Sequence, residues 1–510
     1  MAEEDGPLLP VGRRIAILAA VVLGSTLYAT TLLVASTLLP QMQGSFAATP
    51  DEIAWTTTFN ILATAIATPM TGWLVARFGR KRTMLSCIAG FTVATWLCGQ
   101  AESLETIVLW RILQGGLGAP VVPLSNATVL DTFPRRQAGL VSSIFGMTVV
   151  LGPVAGPALG GVLAETYNWR WAFYMIVPAG LVAFLALRLT LPPDPKPGAA
   201  GARPAPLDWT GFLALSVCIA CVQLVLSRGQ RLDWYDSHEI VVETVIAALA
   251  FWVFLAHSLT TPRPFLNLRL LLDRNYALGL SLVFIYGMVN FTPIVLLPTL
   301  LQTYAGYPDG IIGLIVGYRG IGGTIGFGMT LLIGRWDPRI GMALGFGLMA
   351  VSGVWLMTLD LNVGLDLLLM QSTLQGMATG IIWVPLTVLT FATLDRAALA
   401  EAMAVFHLLR NIGSSLFISL SVAEIIRSTT SNYSRMTEFI SPFSRALTLP
   451  DSLGGWSVET LQGLARLARE IDRQAAMIGY VNAFGLYTSA SVAAIMLVVL
   501  AGRRVRRAGP

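Results

Sequence analysis

Apolar residues in this chain fall in long unbroken runs, separated by short charged or Pro/Gly-rich stretches, with no strict two-residue alternation. Runs of roughly 18 or more such residues predict membrane-spanning helices. Lipid cannot satisfy an exposed backbone, and barrel strands would alternate. Fourteen runs fit, near 14–40, 53–76, 83–100, 104–130, 138–163, 170–190, 209–228, 238–258, 275–302, 309–334, 340–359, 364–393, 399–427 and 476–502. Several are longer than a perpendicular crossing requires, so tilt is expected. Two interruptions stand out. Residues 191–207, rich in Pro, Gly and Ala, read as a coreless linker. Residues 428–475 read as a long polar loop on the outer side. Within it Leu461, Leu464, Leu467 and Ile471 recur at helical spacing, which predicts a surface amphipathic helix over 458–473. That helix lies on the outer leaflet or on the protein's own outer face, or it docks a partner.

Composition narrows the class. Of 510 residues 55% are hydrophobic and 12% charged, against about 25% charged in soluble domains. That balance excludes a soluble enzyme, a disordered chain, a disulfide scaffold and a nucleic-acid binder. The net charge of +5 reflects basic residues placed between the runs. With the N-terminus in the cytoplasm, 21 of the 33 Lys and Arg lie on the cytoplasmic side and nine on the other. Six of those nine are in or beside the 428–475 loop, where charge bias counts for little. Both termini are therefore expected in the cytoplasm, in a bacterial inner membrane. The first run is too long for a cleavable signal and is expected to be the first span. Cys87, Cys98, Cys218 and Cys221 sit inside apolar runs, and His238, His257 and His407 are scattered. Neither pattern suits a metal. There is no nucleophile elbow and no GxxxxGK[ST] loop, so no catalytic residue, metal or cofactor is expected.

Two basic turns sit at matching places. One reads Gly72-Trp-Leu-Val-Ala-Arg77-Phe-Gly79-Arg80-Lys81-Arg82; a weaker one reads Gly334-Arg335-Trp-Asp337-Pro-Arg339. Two six-span halves so marked resemble the major facilitator superfamily. The extra pair, 209–228 and 238–258, resembles the insertion of the fourteen-helix drug:proton antiporters, EmrB/QacA-like in type. So do Val122-Pro-Leu-Ser-Asn, Gly146-Met-Thr-Val-Val, Gly152 to Gly161, Asn168-Trp-Arg-Trp-Ala-Phe and Arg473 to Phe484. The resemblance implies an all-α membrane protein of two six-helix bundles plus two inserted helices. Its divisions would be 1–190, 191–274 and 275–510. It also implies proton-driven efflux of hydrophobic or amphipathic compounds, and an EmrA-like periplasmic adaptor with an outer-membrane channel as partners through 428–475.

The chemistry resides in a few polar residues. Arg111, with Gln114 one turn on, is a charge inside a span, which costs several kcal/mol unless paired or wet. It resembles the superfamily arginine linked to proton coupling; the alternative is a snorkelling side chain. Gly152, Gly156 and Gly160 line one helix face, with Gly161, Pro153 and Pro157 beside them, and resemble the antiporter motif of exporters. They are the expected gate and hinge. Gly72, Arg77, Gly79, Arg80, Lys81 and Arg82 form the expected cytoplasmic latch, although Ala76 stands where the superfamily has an aspartate. Thr31 likewise occupies the place of a span-one carboxylate.

No acid lies deep in any span, and Asp131 sits near a span end. Asp131, His407 and Arg410 join Arg111 as candidates on the proton or transport path; Asp131 is alternatively a plain loop acid. Thr31, Asn60, Gln114 and Asn290 are candidate cavity groups. Arg111, Arg319 and Arg410 within spans, unmatched by acids, predict a positive cavity that favours neutral or weakly acidic hydrophobic compounds. The expected partners are such a substrate, protons and membrane lipids. Export of an endogenous lipid, fatty acid or siderophore is the alternative, and a non-transporting sensor or scaffold is the alternative of another class.

Overall fold

The computed structural model describes residues 9–134, 137–194, 207–230, 232–262, 264–333, 337–394, 398–440 and 460–500. All regular secondary structure among them is helical. The first half comprises α1 (Val11–Phe46), α2 (Pro50–Ala67), α3 (Thr71–Phe78), α4 (Arg80–Gly99), α5 (Leu104–Gly118), α6 (Val121–Thr132), α7 (Ala138–Thr166), α8 (Trp169–Tyr174) and α9 (Ile176–Thr190). Two helices follow, α10 (Trp209–Arg228) and α11 (His238–Thr260). The second half comprises α12 (Arg274–Thr303), α13 (Asp309–Ile333), α14 (Pro338–Met357), α15 (Leu365–Phe391), α16 (Leu399–Thr437) and α17 (Leu461–Leu500). Among the described residues twelve stretches are long and apolar enough to cross a membrane, and Gly139–Thr148 of α7 is a shorter apolar one. α4, which opens on Arg80-Lys81-Arg82, is not among the twelve.

Local chemistry sets the boundaries. Thr49 with Glu52 and Ser103 with Thr106 form reciprocal caps at the starts of α2 and α5. Asp208, Asp273 and Asp337 accept backbone amides at the starts of α10, α12 and α14. Two expected spans are broken where prolines remove a backbone donor. A 3-10 turn, Thr68–Met70, joins α2 to α3 at Pro69, and Pro120 separates α5 from α6.

Both halves pair their helices in the same order. α1 packs on α7, α2 on α5, and α4 on α5 and α9; α12 packs on α16, α13 on α15, and α14 on α15 and α17. Each half has its own apolar core, one around Ile17, Phe91, Phe145 and Leu187, the other around Tyr276, Phe346, Phe406 and Tyr487. α10 lies against both halves, its Leu215 and Ile219 packed with Ala65 of α2 and Leu408 of α16. The Ser419 hydroxyl of α16 donates to the Leu226 carbonyl at 2.6 Å. α11 leaves Val242, Val245, Leu249, Trp252 and Leu259 exposed, an apolar surface suited to lipid. The chain is a multi-pass membrane protein.

Three expectations change. The 428–475 stretch is not all loop: α16 runs on to Thr437 and α17 starts at Leu461. The amphipathic segment is no separate surface helix but the first turns of α17, because nothing between Ile471 and the apolar run breaks the helix. Leu467 is buried, and Arg473 Nε donates to the Tyr304 carbonyl at 2.6 Å. Residues 441–459 lie outside the described residues. The linker is likewise not free at its start: Leu191 is buried, and Asp194 accepts from the Lys81 and Arg82 amides at 2.8 and 3.1 Å. Residues 195–206 lie outside the described residues.

Candidate functional site

The residues with functional chemistry gather at three places. The first is a node inside the first half. Arg111 of α5 is fully buried. Its guanidinium donates to the Gln114 side-chain oxygen and, at 3.4 Å each, to the Thr31 and Thr56 carbonyls. It sits 5.9 Å from the Phe173 ring centre. Asn60 of α2 donates to the Arg111 carbonyl at 2.7 Å, and the Gln114 amide donates to the Thr95 hydroxyl at 2.8 Å. The Thr31 hydroxyl is used locally, on the Tyr28 carbonyl. Four sequence candidates, Thr31, Asn60, Arg111 and Gln114, thus converge. α2 and α5 meet so closely because of Gly115, where a Cβ would collide with the Asn60 carbonyl. No described carboxylate pairs with Arg111. A charge so buried is held by neutral oxygens and ring faces alone.

The second place is its counterpart in the second half. Arg319 of α13 donates at 2.8 Å to both the Asn290 carbonyl and side-chain oxygen, and at 3.4 Å to the Thr379 hydroxyl. Gly376 of α15 repeats the role of Gly115, since a Cβ there would collide with the Arg319 carbonyl. The tripeptide repeats as well: Leu113-Gln114-Gly115 and Leu374-Gln375-Gly376. The arginine therefore changes helix between halves: where α2 carries Asn60, α13 carries Arg319. The run pattern marked Arg319 as a charge within a span. Its link to Asn290 and Thr379 had no sequence signal.

The third place is on α16. His407 is buried against the Phe406 and Trp383 rings, and neither ring nitrogen has a hydrogen-bond partner. One turn on, half-buried Arg410 lies 5.6 and 5.8 Å from the Phe291 and Trp383 ring centres and donates to Asn411 at 3.1 Å.

Asp131 is not part of any node. It pairs with Arg80 at 2.5 Å, at the end where α4 and α7 begin, here termed the basic end. The rest of the latch turn lies there. Gly79 adopts φ +88°, and a Cβ would collide with the Asp194 carboxylate. Lys81 Nζ donates to the Arg188 and Leu191 carbonyls at 2.8 and 2.7 Å, as suits a cation at a helix C-terminus. Arg77 and Arg82 are exposed. Gly72 packs against the Glu401 backbone of α16, and Glu401 accepts from the Asn267 amide at 2.6 Å. Of the second basic turn, Gly334 to Trp336 lie outside the described residues. Other contacts between the halves share this end. Asn126 approaches the Met403 sulfur at 3.5 Å, the Ser143 and Thr330 hydroxyls are 3.0 Å apart, and Gly146 faces Phe327 and Trp383.

The glycine stripe makes its close helix contact within the first half. Gly152, Gly156 and Gly160 face Thr26, Thr30 and Val34 of α1 in the same half, and the Thr30 hydroxyl donates to the Gly152 carbonyl at 3.2 Å. The stripe welds α7 to α1. Gly161 meets nothing within 4 Å, because one helical residue turns it off the stripe. α7 passes through Pro153 and Pro157 as one helix; their side chains lie outside the described residues.

The profile of the Major Facilitator Superfamily matches residues 21–418. The chain belongs to the Major Facilitator Superfamily. Multidrug export protein EmrB of Escherichia coli K12 is 28% identical to this superfamily member over 470 residues, 91% of this chain and 90% of that protein. Fatty acid resistance protein FarB of Neisseria gonorrhoeae is 28% identical over 418 residues, 81% of each. The human organic anion transporter MFSD10 shares the superfamily fold, with TM-score 0.61 at 13% identity, covering 96% of this chain and all of that one.

Proposed function

We infer that this chain exports hydrophobic or amphipathic small molecules across the bacterial inner membrane in exchange for protons. The observation that carries the reading is the pairing of two like-ordered bundles whose named contacts lie at the basic end. With that end in the cytoplasm, and with both termini there, such contacts close the inner side, and rocking of the bundles opens it. The similarity to EmrB supports export. Fourteen spans divided at 1–190, 191–274 and 275–510 fit the repeated packing. Arg111 is the node on which transport depends, with His407 and Arg410 beside the path and Asp131 fixing the latch. Buried arginines without acids favour neutral or weakly acidic cargo. The name of FarB supports a second reading, in which the physiological cargo is a fatty acid. The projecting turns of α16 and α17 suit a periplasmic adaptor that leads to an outer-membrane channel.

The test is efflux in proteoliposomes with an imposed proton gradient. Export of a hydrophobic weak acid should depend on the gradient and stop on adding an uncoupler. Robust export of lipophilic cations with none of acids would overturn the cargo class. Export indifferent to the gradient would overturn the coupling.

A further inference from the structure

The inserted helices have no counterpart in the paired order of the halves, yet they are tied to the seam between them. α10 packs on α2 of the first half and α16 of the second, and the chain that leaves α11 returns to the same place. There Leu266 is buried in an apolar cluster with Ala65 of α2, Leu215 and Ile219 of α10, Phe254 of α11 and Leu408 of α16. The first half, the inserted pair and the second half all contribute to that cluster.

On either side of Leu266 a carboxylate grips the backbone. Asp208, ahead of α10, accepts from the Phe265 amide at 3.0 Å and the Gly211 amide at 3.1 Å, and lies 2.8 Å from His257 Nε2. The Phe265 ring packs edge-on against Phe212, with centres 5.3 Å apart. Glu401, in the first turn of α16, accepts from the Asn267 amide at 2.6 Å. Bonds to an ionised acceptor are roughly twice as strong as neutral ones. Glu401 also stands at the seam, since a Cβ on Gly72 of α3 would lie 3.2 Å from its Cα. Residues 265–267 thus run from the inserted pair to α16 with a grip at each end and a peg between. Parting α2 and α3 from α16 at the basic end must pull the Leu266 cluster apart, and then either α10 leaves α2 or Asn267 leaves Glu401.

We propose that the inserted pair is a clamp that holds the inner side closed, with residues 265–267 as its strap and Glu401 as the position where the strap lets go. The proposal rests on the reading that the basic end opens during transport. A contact made in one of two states shifts their ratio by its own free energy. The strap therefore sets how often the bundles part at this end, and Glu401 is a positioning residue for that step.

The test uses the purified full chain in lipid nanodiscs, with the four native cysteines replaced by serine and Ser143→Cys supplying the one thiol. Ser143 is buried where its hydroxyl meets Thr330 of the other half. A water-soluble maleimide reaches that position only when the basic end opens, so the labelling rate reads the open fraction. Leu266→Ala and Glu401→Ala should each raise the rate about ten-fold. Glu401→Gln keeps an acceptor for the Asn267 amide and should fall between Glu401→Ala and the parent. Ile107→Ala, in the apolar cluster at the far end of the first half, should lower the unfolding temperature and leave the rate alone. If Glu401→Ala does not fold, Leu266→Ala decides the matter. A rise below about three-fold in either folded alanine variant of the strap contacts overturns the clamp, as does an equal rise in Ile107→Ala. The expected rates in a protein whose parent shows no gradient-driven efflux would sink the export reading and leave the clamp standing.

Discussion

The two arginine nodes are one design with the charge moved. In the first half the arginine is on α5, beside Gly115; in the second it is on α13, opposite Gly376. Arg111 is wholly enclosed, with Gln114 and Phe173 against it, whereas Arg319 is held by Asn290 and Thr379; each keeps one guanidinium nitrogen, Nη2 of Arg111 and Nε of Arg319, without a hydrogen-bond partner. Equivalent backbone contacts thus carry different polar chemistry. The repeat fixes where two helices touch, and the side chains beside that contact decide which neutral oxygens hold the cation.

Substitutions can break this comparison. The largest effect is expected from Gly115→Val and Gly376→Val, which force a branched side chain into a facing backbone. Both should fail to give monodisperse protein in size-exclusion chromatography. A well-behaved Gly376→Val would mean that the α13–α15 contact is slack and the nodes are not equivalent.

Arg111→Ala comes next. It should reduce gradient-driven efflux to background while the protein still inserts, and lower stability by about 2–4 kcal/mol as buried partners lose their donor; efflux and thermal unfolding in detergent check both. Asn290→Ala should cost about 1–3 kcal/mol, because its side-chain oxygen accepts from both Arg319 and Thr379, and Asn60→Ala, which loses one donated bond, should cost less; thermal unfolding in detergent reads both. Equal costs of the two would mean that the moved charge makes no difference to the nodes.

Outside both nodes, Arg80→Gln or Asp131→Asn removes a partly exposed pair and should cost no more than about 1 kcal/mol, seen as a small shift in unfolding temperature.

The smallest effect concerns Asp208, ahead of α10. Burial alone would push its carboxyl up, but the Gly211 and Phe265 amides and His257 outweigh that and hold it below its ordinary value. A depressed carboxyl stabilises the fold above its unfolded pKa of about 3.9, and loses that contribution as pH falls through the folded value. The difference in unfolding temperature between the parent and Asp208→Asn should therefore be present at neutral pH and shrink below about pH 4.

Much of this was legible in the chain. Long apolar runs gave the helices, and a polar residue in such a run is conspicuous, which is why Thr31, Asn60, Arg111 and Gln114 could be singled out one by one. What brings them together was not legible, because α1, α2 and α5 meet only through tertiary packing. The same holds for Asp194, which caps α4 from 113 residues away, and for Asn290 and Thr379, which reach Arg319 from two other helices. Pro69 and Pro120 carried a readable signal for the breaks at those points. Gly161 was grouped with Gly160 by adjacency, although one residue on a helix is a turn of about 100°. The glycine stripe could not say which helix it faces, and it faces α1.

The unbroken course of α17 from Leu461 to Leu500 has a mechanical consequence. Its first fifteen residues stand ahead of the apolar run as a rod about 22 Å long, stapled to Tyr304 through Arg473. A rod continuous with a bundle is a lever arm. A tilt of about 10° in the second half would swing its tip by roughly 4 Å, so a rearrangement in the bilayer would be felt, enlarged, by whatever touches that tip.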